Sequence, residues 1–511
     1  MNTYFGDLHN HCGITYGFGS LENAIKCAKS QLDFCAFTGH AMWPDMYEKA
    51  PETEFVVNFH LEGFQKLKDH WEEIRKEVAE ANSADFVTFQ GYEIHSREYG
   101  DHHLLSIDDE LPLIYRDSPE ELVNDCGKDA IAIPHHIGYT PDYRGIDWRK
   151  FNSRISPVVE VYSKHGCSMS EDADYPYYHN MGPRDTRNMA DEGLRQGHKF
   201  GFVASTDHHA GFPGSYGDGI AAVLAEEKTR ESIWEAIKSR RTYALTGDRI
   251  LCDFKVNASY MGSEITANQR KIAAHVETEG VLDKIILYKN LKPYHIINGE
   301  MFQDVNKEGC YKIRVEMGWG NGALYRWNGM CRTEGGTIVD CRTYFRGRSV
   351  LAPSKDETYD ADNINHIETC SERKSENEFV WRCDTVGNKS TLHPATSSVV
   401  LKVQGDLDTK VTFEINHKTY TATVGELLKY GYTSHMEYYH SQAFKIFKAV
   451  PESQYIFDFE LEDSTPEKDC DIYHIEVSQK NRQWAYLSPI YVNRENEVRN
   501  GVMRGFVKSM V

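Results

Sequence analysis

Phe5-Gly6-Asp7-Leu8-His9-Asn10-His11-Cys12 is the stretch on which the reading of the fold turns. Residues 4–8 read as a short strand, and side chains two apart on a strand point to one face, so His9 and His11 can grip a single ion. A pair at this spacing is equally at home as two polar residues at a strand end. The rest of the chain decides between the two. Apolar runs that read as buried strands recur, each beside a histidine or a carboxylate: residues 33–38 lead to Gly39-His40, and residues 86–90 lead to Gly91-Tyr92-Glu93. His102-His103 precede Leu104-Leu105, residues 129–134 lead to His135-His136, and Val158-Val159-Glu160-Val161 carries an acid inside its own apolar run. Residues 200–205 lead to Thr206-Asp207-His208-His209. A metal pocket needs nitrogen and carboxylate donors converging from several strands, and this pattern supplies them.

Helical stretches separate the runs, which implies parallel strands whose C-terminal ends gather in one place. Ser20 can cap a helix over 21–30 with Leu21, Ile25 and Ala28 on one stripe. A strongly charged helix covers about 61–81, another spans 184–196 closed by Gly197, and a last strand at 219–225 precedes a last helix at 229–240. That makes seven or eight βα steps. Beyond about 250 the texture changes to short alternating runs, such as 411–415 and 473–477, between Asn, Gly, Asp and Lys clusters, which reads as antiparallel β structure, a sandwich. A short helical stretch at 424–430 interrupts it, and 317–389 is irregular.

The order His-x-His, Thr-x-His, Gly-x-Glu, His-Leu-Leu, Pro-His-His, Val-Glu-Val and Thr-Asp-x-His resembles the PHP superfamily (polymerase and histidinol phosphatase) of metal-dependent hydrolases over residues 3–250. Segments 240–250 and 484–492 resemble a long bacterial branch of it with a β-rich C-terminal region. The resemblance implies an α/β architecture: a PHP-type distorted (β/α)7 barrel over 1–250, followed by a mostly antiparallel β-sandwich over 251–511. It also implies two or three divalent ions, zinc, manganese or iron. One would take His9, His11, Glu93 and Asp207, and a second would share Glu93 and add His103 and His135. A third would use His40 and His209, with Glu160 as a candidate to complete it. Two departures bear on that third site. Tyr16-Gly17-Phe18 stands where the family places a further histidine, and Gly39 stands where an aspartate commonly precedes the ligand histidine.

Two ions sharing Glu93 would bring a hydroxide into being near neutral pH and suit in-line attack on phosphorus. The expected activity is therefore that of a phosphoesterase on a small soluble phosphomonoester or diester. An amide, ester or lactone hydrolase and a non-catalytic module held together by metal are the alternatives. Glu93 and Asp207 would carry catalysis through the ions, His165 would protonate a leaving group, and Lys164 would hold an anion. Arg97, Arg144, Arg184 and Arg187 are further candidates for substrate contact, set against a plain surface role. Residues 168–183, with Tyr175, Tyr177, Tyr178 and His179, are too long for an ordinary connection and read as a lid. His60, His70 and His198 read as surface residues. Cys12, next to His11, is either an extra ligand or a packed thiol.

Composition fits an enzyme. The chain has 511 residues, 40% of them hydrophobic, enough for two or three domains. Its 57 basic and 77 acidic residues give a formal charge of −20, which argues against nucleic acid and anionic membranes as partners and leaves a small molecule. No apolar span or signal segment is visible, so a cytoplasmic location is expected. The 12 cysteines include no Cys-x-x-Cys pair, which removes the zinc-ribbon and thioredoxin readings.

Overall fold

The computed structural model describes residues 1–127, 129–173, 182–299, 308–319, 324–348, 368–385, 396–437 and 441–495. The first half runs through β1 (Asn2–Asp7), α1 (Leu21–Lys29), β2 (Phe34–Ala36), β3 (His40–Met42), α2 (Glu54–Ala81), β4 (Val87–Ile94), β5 (His102–Ser106), α3 (Pro119–Cys126) and β6 (Ala130–Pro134). It continues with β7 (Val158–Ser163), β8 (Gly166–Cys167), α4 (Ala190–Arg195), β9 (Gly201–Ala204), β10 (Ile220–Ala225), α5 (Arg230–Lys238) and β11 (Thr242–Leu245). Local chemistry sets several helix starts. Ser20 accepts a hydrogen bond from the Asn23 backbone N–H, Ser118 from Glu121 and Thr229 from Ser232, each occupying an otherwise unpaired donor of the first turn. The expected helix over 184–196 is broken instead. Met189 is extended, and Ala190 and Asp191 donate to the carbonyls of Ser168 and Met169, which diverts the backbone from helical pairing until Ala190–Arg195.

β1 lies inside a mixed sheet. It pairs parallel with β2, which pairs parallel with β4, and it pairs antiparallel with β10 on its other side. β4, β5 and β6 are joined antiparallel, and β10 is antiparallel to β11. The all-parallel arrangement expected from the sequence is thus corrected. β4 ends at Ile94 and β5 begins at His102, a link too short for a parallel crossover, so the chain turns back as a hairpin. β7 and β9 pair parallel in a separate small sheet, and the ladders among the described residues do not close into a ring. The result is a mixed α/β, strand-rich molecule. β11 also pairs with Trp484–Leu487, which pairs with Cys470–Gln479, so the sheet continues into strands from the far end of the sequence. One apolar core correspondingly runs from Phe5 through Tyr243 to Val492.

Beside a four-stranded antiparallel sheet that includes Leu251–Val256, Arg270–Glu277 and Ile456–Asp463, two further antiparallel sheets occupy the second half, one built around Glu308–Gly318 and Ser397–Asp406, the other around Tyr325–Glu334 and Lys410–Ile415. They share a core of Ile313, Val315, Trp327, Phe379, Leu401 and Phe413. Residues 325–334 alternate buried and exposed, the signature of a strand with one wet face, although the sequence between 317 and 389 reads as irregular. Arginines, glycines and cysteines at the alternating positions hide the period there.

Candidate metal centre

β1 delivers His9 and His11 just past its end. Asp7, buried behind them, accepts hydrogen bonds from the backbone N–H groups of His9, Thr206 and Gly214 and from the Thr206 hydroxyl, so one carboxylate ties β1 to the segment that carries Asp207. Burial pushes the Asp7 carboxyl up to about 6. The hairpin sets Glu93 of β4 directly opposite His103 of β5, and β6 ends at Pro134 with His135 immediately following. Asp207 and His136 sit in the left-handed region at φ values of 50° and 53°, which aspartate and histidine tolerate better than most side chains.

The side chains meet as follows. His9 Nε2 lies 3.3 Å from Glu93 Oε2, and its Nδ1 lies 3.1 Å from Glu160 Oε2. His11 Nε2 is 3.2 Å from Glu93 Oε2 and 3.1 Å from Asp207 Oδ1. His40 Nδ1 is 3.1 Å from Glu93 Oε2, while the other oxygen, Oε1, faces His135 Nε2 at 3.2 Å. His103 and His135 bring their Nδ1 atoms to 3.2 Å, and His40 and His209 their Nε2 atoms to 3.3 Å. Donor atoms of His9, His103 and His135, of His11, His40 and His209, and of His9, His11 and Glu93 each converge within 4.8 Å.

This donor set fits divalent cations. Ligand atoms on a tetrahedral ion with bonds of about 2.0–2.1 Å stand roughly 3.3 Å apart, which matches the spacings above. The electrostatics point the same way. Burial opposes charge on Glu93 and Asp207, yet the surrounding histidines hold both well below the usual carboxylate range. Burial holds His40, His103 and His209 well below the usual imidazole range, so the neutral form that ligates is favoured. Burial works against charge on His9 too, but Glu160 and Asp207 outweigh it and raise His9 well above its usual value, a measure of how strongly this pocket calls for positive charge. His209 Nδ1 lies 3.0 Å from the Asp207 carbonyl and 2.9 Å from Lys164 Nζ, contacts that hold the ring with its Nε2 facing His40. His103 Nε2 is buried with no hydrogen-bond partner among the described residues.

Glu160, a possible ligand by sequence, lies behind His9, on the ring edge away from Glu93; burial pushes it up to about 7. His165 Nε2 is 2.9 Å from Asp207 Oδ2 and lines the cavity that opens on the cluster. Lys164 is buried with its Nζ 2.9 Å from His209 Nδ1, and burial pulls its amine down to about 8. It is absent from the described cavity wall. Arg144 lines that wall and donates to Asp101, Arg97 lies over the Tyr47 ring, and Arg184 and Arg187 pair with Glu171 and Asp185. Cys12 is packed away and burial pushes its thiol up to about 12. The lid aromatics Tyr175, Tyr177, Tyr178 and His179 lie outside the described residues. His70 is exposed as expected and His198 half-buried, but His60 is corrected: it is buried against Tyr16, Trp43 and His95.

His95 and His136 are the site residues that the sequence reading passed over. His95 Nε2 stands 3.0 Å from His40 Nδ1, its Nδ1 stands 3.5 Å from Glu93 Oε1, and Asp101 backs it at 3.3 Å. The signal was available, since His95 follows Glu93 at the same two-residue spacing that relates His9 to His11. His136 Nε2 reaches Asp207 Oδ2 at 3.3 Å. Where the third site lacks a histidine, Tyr16 stacks on His40 with ring centroids 3.8 Å apart.

Comparison with known proteins adds the following. Residues 215–320 match the model of a protein family of unknown function, DUF3604. The chain is 28% identical over 275 residues to an uncharacterized protein of Chlamydia pneumoniae, covering 47% of this chain and 43% of that one. It is 28% identical over 169 residues to an uncharacterized protein of Chlamydia muridarum, covering 30% of this chain and 27% of the relative. A third uncharacterized protein, from Chlamydia trachomatis, is 31% identical over 133 residues, 24% of this chain and 21% of its own length. The matched part thus spans less than half of each of these relatives. Among solved structures, a two-domain protein of Bacteroides vulgatus described as containing a predicted PHP-like metal-dependent phosphoesterase aligns at a TM-score of 0.31 and 15% identity, over 58% of this chain and 85% of that one. Among the described residues no helix is long and apolar enough to cross a membrane.

Proposed function

We propose that the chain is a metal-dependent hydrolase, and specifically a phosphoesterase acting on a small phosphomonoester or diester. One observation carries this reading. The two oxygens of buried Glu93 face different donors, Oε2 toward His9, His11 and His40, and Oε1 toward His135 and His95, a disposition that would let one carboxylate serve two ions. When bound there, two divalent ions supply Lewis acidity at a phosphoryl oxygen and acidify water. His9, His11, Glu93 and Asp207 would hold one, and His103 and His135 with Glu93 the other. β7 and β9, which carry Glu160 and lead to Asp207, pack against β6 and β11, as a distorted barrel would require.

The chain's own residues account for the remainder. Glu160 holds the His9 ring from behind and so fixes which nitrogen faces the centre. His165, beside Asp207 and on the cavity wall, is placed to pass its proton to the leaving oxygen as the P–O bond to that oxygen breaks and a new P–O bond to the attacking water oxygen forms, the water giving up one proton to solvent. Lys164, read from sequence as holding an anion, would also stabilise anionic Asp207 from the buried side, a positioning role.

The test is a panel of phosphate monoesters, phosphate diesters, carboxylic esters, lactones and amides offered to protein loaded with manganese, zinc or iron. Inorganic phosphate or alcohol release from phosphoesters supports the proposal. Carboxylate release alone transfers it to the carbonyl hydrolases, and a loaded protein inert toward every compound contradicts it.

A further inference from the structure

The cavity over the centre, about 400 Å³, is large enough for a small organic molecule and has two unlike walls. One is the ligand cluster. The other is apolar and mostly aromatic: Trp43, Tyr47, Phe55, Val56, Phe59 and Tyr143. The rings form a continuous run outward from the ligands. Tyr16 stacks on His40, Phe59 lies 4.6 Å from Tyr16 between centroids, and Phe55 lies 5.6 Å from Phe59.

Three features mark this wall as built for a ligand. First, α2 begins at Glu54, well before the helix over 61–81 that the sequence predicts, and the added turns carry Phe55, Val56 and Phe59 off the stripe that packs on the core through Val57, His60, Leu67 and Trp71. Phe55 and Val56 stay 44% and 37% exposed, apolar area that folding does not use. Second, Trp43 is buried, yet its indole N–H has no hydrogen-bond partner among the described residues, an unpaired donor that a ligand oxygen would satisfy. Third, apart from histidines, the only cation on the described wall is Arg144, one nitrogen of which donates to Asp101 at 2.8 Å while its Nε has no hydrogen-bond partner among the described residues, and Glu52 adds a negative charge at the rim. Among the described residues the wall therefore offers one partly committed guanidinium and no second cation with which to clamp a further phosphate.

We propose that this centre takes compounds with one anionic head and a flat aromatic body, aryl or arylalkyl phosphate esters, in preference to polyphosphorylated ones. The head would sit at the ligand cluster and the ring along Trp43 and Phe59, with the Trp43 N–H reaching an oxygen of the head or its ester link. This rests on the phosphoesterase reading for the nature of the head, and on the cavity alone for the ring.

Binding of non-hydrolysable probes to the metal-loaded full chain, read by calorimetry, tests it. Phenylphosphonate is expected to bind at least about tenfold tighter than methylphosphonate, because one ring's apolar area leaves water, and pyrophosphate is expected to gain nothing over methylphosphonate. Phe55→Ser, at a position exposed enough to tolerate the change, and Phe59→Leu should shrink the phenyl advantage while leaving methylphosphonate unchanged. Trp43→Phe, which keeps the ring and removes the N–H, should weaken both phosphonates. Equal affinity for the two phosphonates, tightest binding by pyrophosphate, or no binding by either phosphonate overturns the proposal. Failure of the phosphoesterase reading shows separately: phenylphosphonate would bind with the expected preference while phenyl phosphate released no phosphate, which supports the aromatic site and removes the reaction.

Discussion

Glu160→Gln separates a residue that ligates metal from one that holds a ligand in place. In the structure its Oε2 lies 3.1 Å from His9 Nδ1, and His9 turns its Nε2 toward Glu93 and His11. Glutamine keeps the shape and an oxygen acceptor but removes the charge, so the His9 ring should remain oriented while its nitrogen becomes a weaker donor. Loss of such a supporting carboxylate costs about 10–100-fold in metal affinity, or about 1.4–2.7 kcal/mol. Because the amide oxygen still accepts from Nδ1, Glu160→Gln should fall near the lower end and Glu160→Ala near the upper. The assay is competition for zinc or manganese against a chelator of known affinity, with elemental analysis of the protein at saturation. Stoichiometry at saturation should be that of the unaltered chain. Loss of one whole ion at saturation, as expected for His9→Ala, would make Glu160 a direct ligand and refute the reasoning. An affinity unchanged for both variants would remove any link between Glu160 and the centre.

His165→Asn should keep its metal and lose about 10²–10⁴ in rate on esters with poor leaving groups, with a much smaller loss on activated esters; equal losses on both would take the proton-donor role from His165. His95→Ala should weaken the ion associated with His40 and His209 and spare the others, seen as a lower affinity for the last equivalent added; loss of every ion together would show that His95 supports the whole cluster. Away from the centre, Lys312 and Arg342 hold buried Glu279 at about 2 against burial, which acts in the other direction. A carboxyl depressed in the folded state contributes stability that is complete above its usual value of 4.5 and is lost as pH falls through about 2, a contribution of about 3 kcal/mol. Glu279→Gln should therefore flatten the loss of urea resistance between those pH values, and an unchanged acid limb would contradict the pairing.

The strands were legible wherever an apolar run was unbroken, as in 130–134 and 158–161, and the convergence of His9, His11, Glu93 and Asp207 was legible because each sits at or just past a strand end. Direction was not. Nothing in residues 95–101 distinguishes a hairpin from the start of a crossover except its brevity, and that hairpin is what sets His103 opposite Glu93. α1 showed its stripe and cap plainly, whereas the first turns of α2 did not, since Phe55, Val56 and Phe59 lie off the packing stripe and serve the cavity. His60, on the packing stripe itself, read as a surface residue because its neighbours Tyr16 and Trp43 come from distant loops that periodicity cannot bring together. Asp7 was hidden in plain view. It reads as one polar residue in a strand, and its work is done on the backbone of Thr206 and Gly214, far along the chain.

The account stands on Glu93 as the carboxylate shared by two ions, and elemental analysis of dialysed protein tests this most directly. The unaltered chain should retain at least two divalent ions per molecule, and Glu93→Gln, folded by circular dichroism, should retain at most one and lose nearly all hydrolytic activity. Equal metal content in the two proteins, or an unaltered chain that binds no divalent ion when these are supplied in excess, would contradict it.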